Sequence, residues 1–478
     1  MSEDADQRTH GGNPAPPPGP ARRSQLWLFL ALTGASYFWL CTDRSGKLFQ
    51  EQDFGDVFDH LAISIVHGRL DLPPEVIGTE AFIIDGRHYG YWAPFPALLR
   101  IPLALTGSSF WVGHTARAMC WLAAMASVLA ACGIVRELQR LFRWPAREGA
   151  FLAVFLGALA FGGHVPYLVS GPSTYHESIL WGSATALAAM LLGLVFIRTR
   201  KFGMLLGAVL VAGLSALSRA TTGYGALVGT SGLVAFYWWE ARRHRPGTAR
   251  GLATRRGILL AGLSAMFFFL PLWYNYARFG SFVRLPYNQH PGVEAWRVEI
   301  TKRGNFQAVN LWPNALTYFD PTQIEIRPGF PYFHLAAYRA KPGAQIEHAE
   351  AYAGIPSFMT GLCVLAALGL QIVTWDRRLW FLLAGGAATL LALLTFTAVA
   401  HRYEHDLFPL VVLLSAGGAL WLEQREGAVS RIARILVGIL LLVGIWQSMA
   451  FAYFEQEWAR GWSEQHPYRV RTVPPRHD

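Results

Sequence analysis

The chain is predicted to be an all-α polytopic membrane protein, and three observations predict it. Hydrophobic residues make up 53% of the sequence and charged residues only 15%. Apolar runs of about 17 to 24 residues recur, each long enough to cross a hydrocarbon core. Lys and Arg gather in short clusters between those runs, as the orientation rule for membrane proteins requires. The formal charge of +10 therefore belongs to topology, and nucleic acid is set aside as a partner.

Residues 1–24 include Gly11-Gly12-Asn13-Pro14-Ala15-Pro16-Pro17-Pro18-Gly19-Pro20 and read as a disordered cytoplasmic tail with nothing to bury. Arg22-Arg23 resembles a twin-arginine export signal, but no small-residue cleavage site follows Leu40, so 25–41 is expected to be an uncleaved anchor. Further spans are expected at 109–135, 149–169, 176–197, 202–217, 221–239, 257–276, 355–375, 379–400, 407–422 and 433–453, about eleven in all. Together they form one integral domain over 25–454, followed by an outward-facing tail at 455–478. Cys41, Cys120, Cys132 and Cys363 all fall in apolar segments, which argues against a disulfide framework or a paired-cysteine metal site.

The connections holding Arg136, Arg198, Arg242, Arg377 and Arg425, each with further basic residues nearby, all fall on one side. That side is the cytoplasm, so the first outer loop (42–108) and the long loop 281–354 face outward. Within the first loop, 54–67 has the apolar stripe of an interfacial helix. Pro94, Pro96 and Pro102 interrupt the apolar stretch 92–107, which favours a second interfacial helix there over a span.

Polar residues that composition does not explain collect at the outer span ends. They are Asp53, Asp56 and Asp59 after the first span, His176 and Glu177 before the fourth, Arg219 after the fifth, Asn275 and Arg278 after the seventh, and His401 to Asp406 before the tenth. Ionisable groups near a bilayer are costly to desolvate, so a one-sided collection of them points to a functional site. If 54–67 is helical, Asp56 and Asp59 share a face with His60, while Asp53 either joins them or caps the helix. A carboxylate in a partly dry cleft suits general-base work. The same group could hold a divalent cation, with oxygen ligands favouring Mg or Mn.

With these residues in view, the sequence resembles the C-type glycosyltransferase (GT-C) superfamily, polytopic enzymes that use polyprenyl-phosphate sugars. The resemblance lies in the acidic first loop ending His67-Gly68-Arg69-Leu70-Asp71-Leu72, in Glu80-Ala81-Phe82, and in Asp85-Gly86-Arg87-His88-Tyr89-Gly90-Tyr91-Trp92. It continues through Pro94 to Pro102, Tyr175-His176-Glu177, Ser218-Arg219, Asn275 to Ser281, and Arg402-Tyr403. More closely, the chain is similar to actinobacterial-type integral membrane proteins with the same first-loop pattern. The resemblance implies an outward site between the first outer loop and the span ends, two interfacial helices, and a catalytic acid in that loop. Glu177 occupies the place of a second acid found in part of the superfamily. The usual adjacent or alternate acid pair is absent, since Phe54 follows Asp53 and the acids are spaced by three.

The chemistry fits these residues. A base takes the proton of an acceptor hydroxyl while charge grows on the leaving phosphate, which guanidinium groups match bidentately. Asp56 or Asp59 is the expected base, with Asp53 a further candidate. Arg219, Arg278 and Arg402 are expected at the phosphate, with His176, Glu177, His405, Arg87 and Tyr89 among the substrate-binding residues. Tyr89, Tyr91 and Trp92 suit either sugar stacking or an interfacial aromatic belt. A single displacement would invert the anomeric centre. The loop 281–354 carries Trp296, Trp312, Tyr318, Tyr332 and Phe333 beside Arg297, Lys302, Arg303 and Arg327, which suits acceptor recognition or a lid. The expected partners are the lipid bilayer, a polyprenyl-phosphate sugar and a glycan, lipid or protein acceptor. A lipid-linked glycan polymerase or ligase is the nearest alternative, and a transporter a further one, although a transporter would place its polar groups near the bilayer midplane.

Overall fold

The computed structural model describes residues 20–465 apart from 53, 146–148, 245, 246 and 331. The stretches read as spans are helical, and the fold is an all-α polytopic one with only short two-stranded pairings. Among the described residues five helices are long and apolar enough to cross a membrane: Ala116–Leu141, Thr174–Thr199, Gly251–Phe279, His401–Gln424 and Ala428–Glu457. Shorter apolar helices, including Ala150–Phe161, Phe202–Ala216 and Leu379–Thr395, lie between them. The first helix, Pro20–Cys41, leaves Trp27, Leu28 and Leu32 exposed, and the last leaves Ile432, Ile435, Leu436 and Ile439 exposed. Such outward apolar stripes suit lipid contact.

Two expected spans are broken. The stretch 149–169 stops as a helix at Phe161 and resumes as Val165–Ser170, with Gly162, Gly163 and His164 between. The stretch 355–375 divides into Ile355–Phe358, Thr360–Gly369 and Ile372–Trp375. Its middle helix lies very close to Phe408–Gln424: a Cβ on Gly369 would stand 1.8 Å from the Leu414 carbonyl oxygen, and one on Gly418 2.0 Å from that of Leu365. Only glycine permits this backbone approach, a packing mode common between membrane helices. The last helix runs from Ala428 to Gln465 and so continues into the stretch read as a tail, while 466–478 lie outside the described residues.

The loop after the first helix has a small core of its own. Val57, Phe58, Leu61 and Ala62 of helix Val57–Val66 pack with Leu72, Val76, Ile77, Trp92 and Trp111. The second interfacial helix takes the form of two short turns, Phe95–Leu98 and Ile101–Ala104, since prolines recur within it. An antiparallel hairpin pairs Phe82–Ile84 with Arg87–Tyr89 through Asp85 and Gly86, both at positive φ, as a two-residue primed turn requires.

The long loop 281–354 is itself folded. It holds helices Ala295–Thr301 and Leu311–Tyr318 and a hairpin of Glu325–Ile326 with Phe333–His334. At its end His348–Ala349 pairs in parallel with Ala398–Val399, which fixes the loop against the segment entering the 3-10 helix His401–Leu407.

Candidate functional site

The acidic loop is anchored from two sides. Arg117 donates to the carbonyls of Thr42 and Lys47 and to the side chains of Gln50 and Gln52, at 3.0 to 3.3 Å. Thr174 donates both its backbone amide and its hydroxyl to the Phe54 carbonyl, at 3.1 and 2.7 Å. Phe54 adopts a positive φ of 53° and Gly55 fits where a Cβ would meet Ala116 at 3.0 Å. This turn delivers Asp56 to the N-cap position of helix Val57–Val66, half-buried, with its carboxylate 3.9 Å from His60. Asp53 lies outside the described residues.

Asp59 faces elsewhere. It is fully buried beneath Arg100, which bonds it through Nε and holds Glu177 through Nη1 and Nη2 at 2.6 and 2.8 Å. Thr115 donates its hydroxyl to Asp59 Oδ1 at 2.5 Å, and the Gly113 amide donates to Oδ2 at 2.8 Å. Burial alone would lower the Arg100 guanidinium, but Glu177 and Asp59 outweigh it and raise it. Both acids are thus engaged as counter-ions to one cation, while Asp56 stands at the helix cap beside His60. Sequence reasoning missed Arg100. Its signal was a lone charge inside the apolar stretch 92–107.

The expected phosphate ligands divide in the same way. Arg219 pairs with Asp406 at 3.1 Å, and Thr221 and Thr222 donate to the same carboxylate at 2.5 and 2.9 Å. Arg278 is spent on first-loop backbone, donating to the carbonyls of Gly90 and Trp92, with its guanidinium 3.9 Å from the centroid of Tyr274. Arg402 differs. Its Nη1 meets Glu350 at 2.6 Å, but its Nε is buried with no hydrogen-bond partner among the described residues. The Arg402 guanidinium lies over Tyr175 at 4.8 Å and Tyr403 at 5.3 Å.

Tyr175 connects this cation to the acidic loop. Phe54 stacks on Tyr175 with centroids 5.4 Å apart, and the Tyr91 and Trp92 rings, themselves stacked at 4.7 Å, contact it at 6.4 and 5.5 Å. Glu80 interacts electrostatically with Tyr175, and Glu455 with Arg402, so further acids border the cluster. Burial alone would raise the Glu350 carboxyl, but Arg402 and His348 hold it below its usual range. Sequence reasoning also missed Glu350. The parallel pairing at Ala398–Val399 brings it in, with its amide donating to the Val399 carbonyl at 2.9 Å.

The remaining expected residues stand apart. Tyr89 is buried against Phe279, and Arg87 is exposed on its hairpin. His176 is buried, with Nδ1 3.1 Å from the Leu168 carbonyl. His405 is buried and stacks on Phe408. In the long loop Trp296, Trp312 and Tyr332 are exposed, Phe333 is half-buried and Tyr318 is buried. Arg297 pairs with Glu347 at 2.8 Å, and Lys302 and Arg327 pair with Glu299 and Glu325. Among the described residues the one group whose donor atoms converge on a metal-sized space is His164, His401 and Glu404, rather than the first-loop acids.

No protein-family model matches the chain, and no curated protein sequence matches it. Solved structures similar to it include the oligosaccharyltransferase of Archaeoglobus fulgidus in the apo form, with a TM-score of 0.45 at 11% identity over 96% of this chain. The same enzyme tethered to an acceptor peptide gives 0.47 at 12% identity over 95% of this chain. The chain spans 61% and 58% of the length of those two chains. ArnT from Cupriavidus metallidurans in the apo state gives 0.45 at 11% identity, over 91% of this chain and 76% of that one.

Proposed function

We propose that this protein transfers a sugar from a polyprenyl-phosphate-linked donor to a cell-envelope glycan, lipid or protein at the outer face of the plasma membrane. The observation that supports this reading most is the continuity of the Asp56 turn, Tyr175 and Arg402. An acid able to take a proton and a cation able to meet a phosphate are joined through one aromatic contact chain.

In the reaction Asp56 accepts the proton of the acceptor hydroxyl as that oxygen bonds to the anomeric carbon. The bond from that carbon to the donor phosphate breaks, and its electron pair leaves with the phosphate. Arg402 meets the growing charge through the edge that Glu350 does not occupy, where a fixed guanidinium in a dry site is most effective. One displacement inverts the anomeric centre. Asp56 suits the base role better than Asp59, because both Asp59 oxygens already accept hydrogen bonds and its charge neutralises Arg100. We assign the half-buried Tyr91 to sugar contact, Trp92 being packed in the core of the first loop, and the folded loop 281–354 to acceptor recognition.

Donor binding tests the assignment. Arg402→Lys keeps the charge and loses the planar fork, so affinity for a polyprenyl-phosphate sugar should fall about tenfold, the size of one charged hydrogen bond. Unchanged affinity in Arg402→Ala removes this residue from the donor site.

A further inference from the structure

Each buried acid described above has a guanidinium partner: Asp59 and Glu177 share Arg100, and Asp406 has Arg219. Glu404 is fully buried, and among the described residues no Lys or Arg lies within ion-pair distance of it. Its neighbours are two histidines, His164 and His401, both fully shielded from solvent. Removing an isolated carboxylate from water costs several kcal/mol or forces its neutralisation. A bound cation or a proton must therefore balance Glu404, whose Oε2 already stands at hydrogen-bond distance from His164 Nε2.

The geometry indicates what. Glu404 Oε2 lies 3.2 Å from His164 Nε2, and Oε1 lies 3.6 Å from His401 Nδ1. The donor atoms of all three residues fall within 4.8 Å of one another. A tetrahedral zinc with bonds of about 2.0–2.1 Å spaces its ligands roughly 3.3 Å apart. The two short separations, one on each Glu404 oxygen, are close to that spacing, so the carboxylate faces an imidazole on either side. Glu404 Oε1 has no hydrogen-bond partner among the described residues, nor has either ring nitrogen of His405, whose ring centroid is 6.0 Å from that of His164.

The backbone is built for the cluster. In a 3-10 helix residues three apart eclipse, so His401 and Glu404 point the same way from the helix His401–Leu407. His164 enters from the break between Phe161 and Val165, and Phe358 packs edge-on to it at 4.2 Å.

We propose that His164, His401 and Glu404 form a transition-metal site that takes zinc and ties the 3-10 helix carrying Arg402 to the break after Phe161. Two imidazoles and one carboxylate suit zinc and its first-row neighbours, whereas magnesium and calcium prefer oxygen ligands throughout.

The test uses the full-length protein, purified in detergent through a tag without histidines. After exposure to zinc and extensive dialysis, elemental analysis should find about one zinc per chain. Cobalt in its place should give the intense visible bands of a tetrahedral ion. Glu404→Gln with His164→Ala should reduce both signals to background. Chelation of the wild type should lower its melting temperature, and zinc should restore it. A folded, monodisperse wild type that retains no metal, shows no cobalt bands and melts unchanged with zinc would overturn the proposal. Glu404 would then be neutral and share its proton with His164. Full metal content in a folded double variant would overturn it equally.

Discussion

Arg100 holds Glu177 through two parallel hydrogen bonds of 2.6 and 2.8 Å, across 77 residues of sequence and with both side chains fully buried. The same guanidinium binds Asp59, so one cation fastens both interfacial segments of the first loop to the start of helix Thr174–Thr199. Removing it leaves two carboxylates facing each other in a dry site. Arg100→Met should therefore cost about 3–5 kcal/mol, the range for breaking a buried ion pair. Thermal melting in detergent checks this, and a loss below about 1 kcal/mol, the usual worth of an exposed pair, would show the triad to be solvated.

The Glu350–Arg402 pair gives a pH dependence of known sign. Glu350 is held below the ordinary carboxylate value, so its contribution to stability is complete above about pH 4.3, the usual glutamate pKa, and is lost as pH falls through the lowered folded value. Glu350→Gln should melt below the wild type at neutral pH, and the gap should close as the buffer is acidified below that point. A gap that stays constant down to pH 3 would mean that the lost stability is not ionic.

The helices and the break-up of 92–107 were legible because apolar length and proline act locally. The Asp85-Gly86 hairpin was equally legible and went unread among the motif residues. The surroundings of the acids were not legible. A spacing of three suggested that Asp56 and Asp59 share a helix face, but the helix begins at Val57, so Asp56 stands at its cap while Asp59 turns into the core. What Asp59 meets there is Arg100, 41 residues further on, and no local pattern announces a pairing of that range. Glu350 was hidden for the same reason, since a two-residue β pairing brings it to Arg402.

The proposed topology rests on the basic connections. Single cysteines placed at Glu80 and Gly343 should react with an impermeant reagent from outside intact cells, and one at Gly247 should not. Labelling at Gly247 alone would reverse the orientation and move the proposed reaction to the cytoplasmic side.

The most direct measurement is sugar transfer from a polyprenyl-phosphate donor by purified protein in lipid vesicles, comparing wild type with Asp56→Asn and Asp59→Asn. Asparagine keeps the size of aspartate but cannot accept the proton. Asp56→Asn should lower turnover by roughly two to four orders of magnitude with melting unchanged, as loss of a general base does. Asp59→Asn should instead lower the melting temperature first. Full transfer activity in a folded Asp56→Asn variant would contradict the account, because the acid joined to Arg402 through Tyr175 would then take no part in the chemistry.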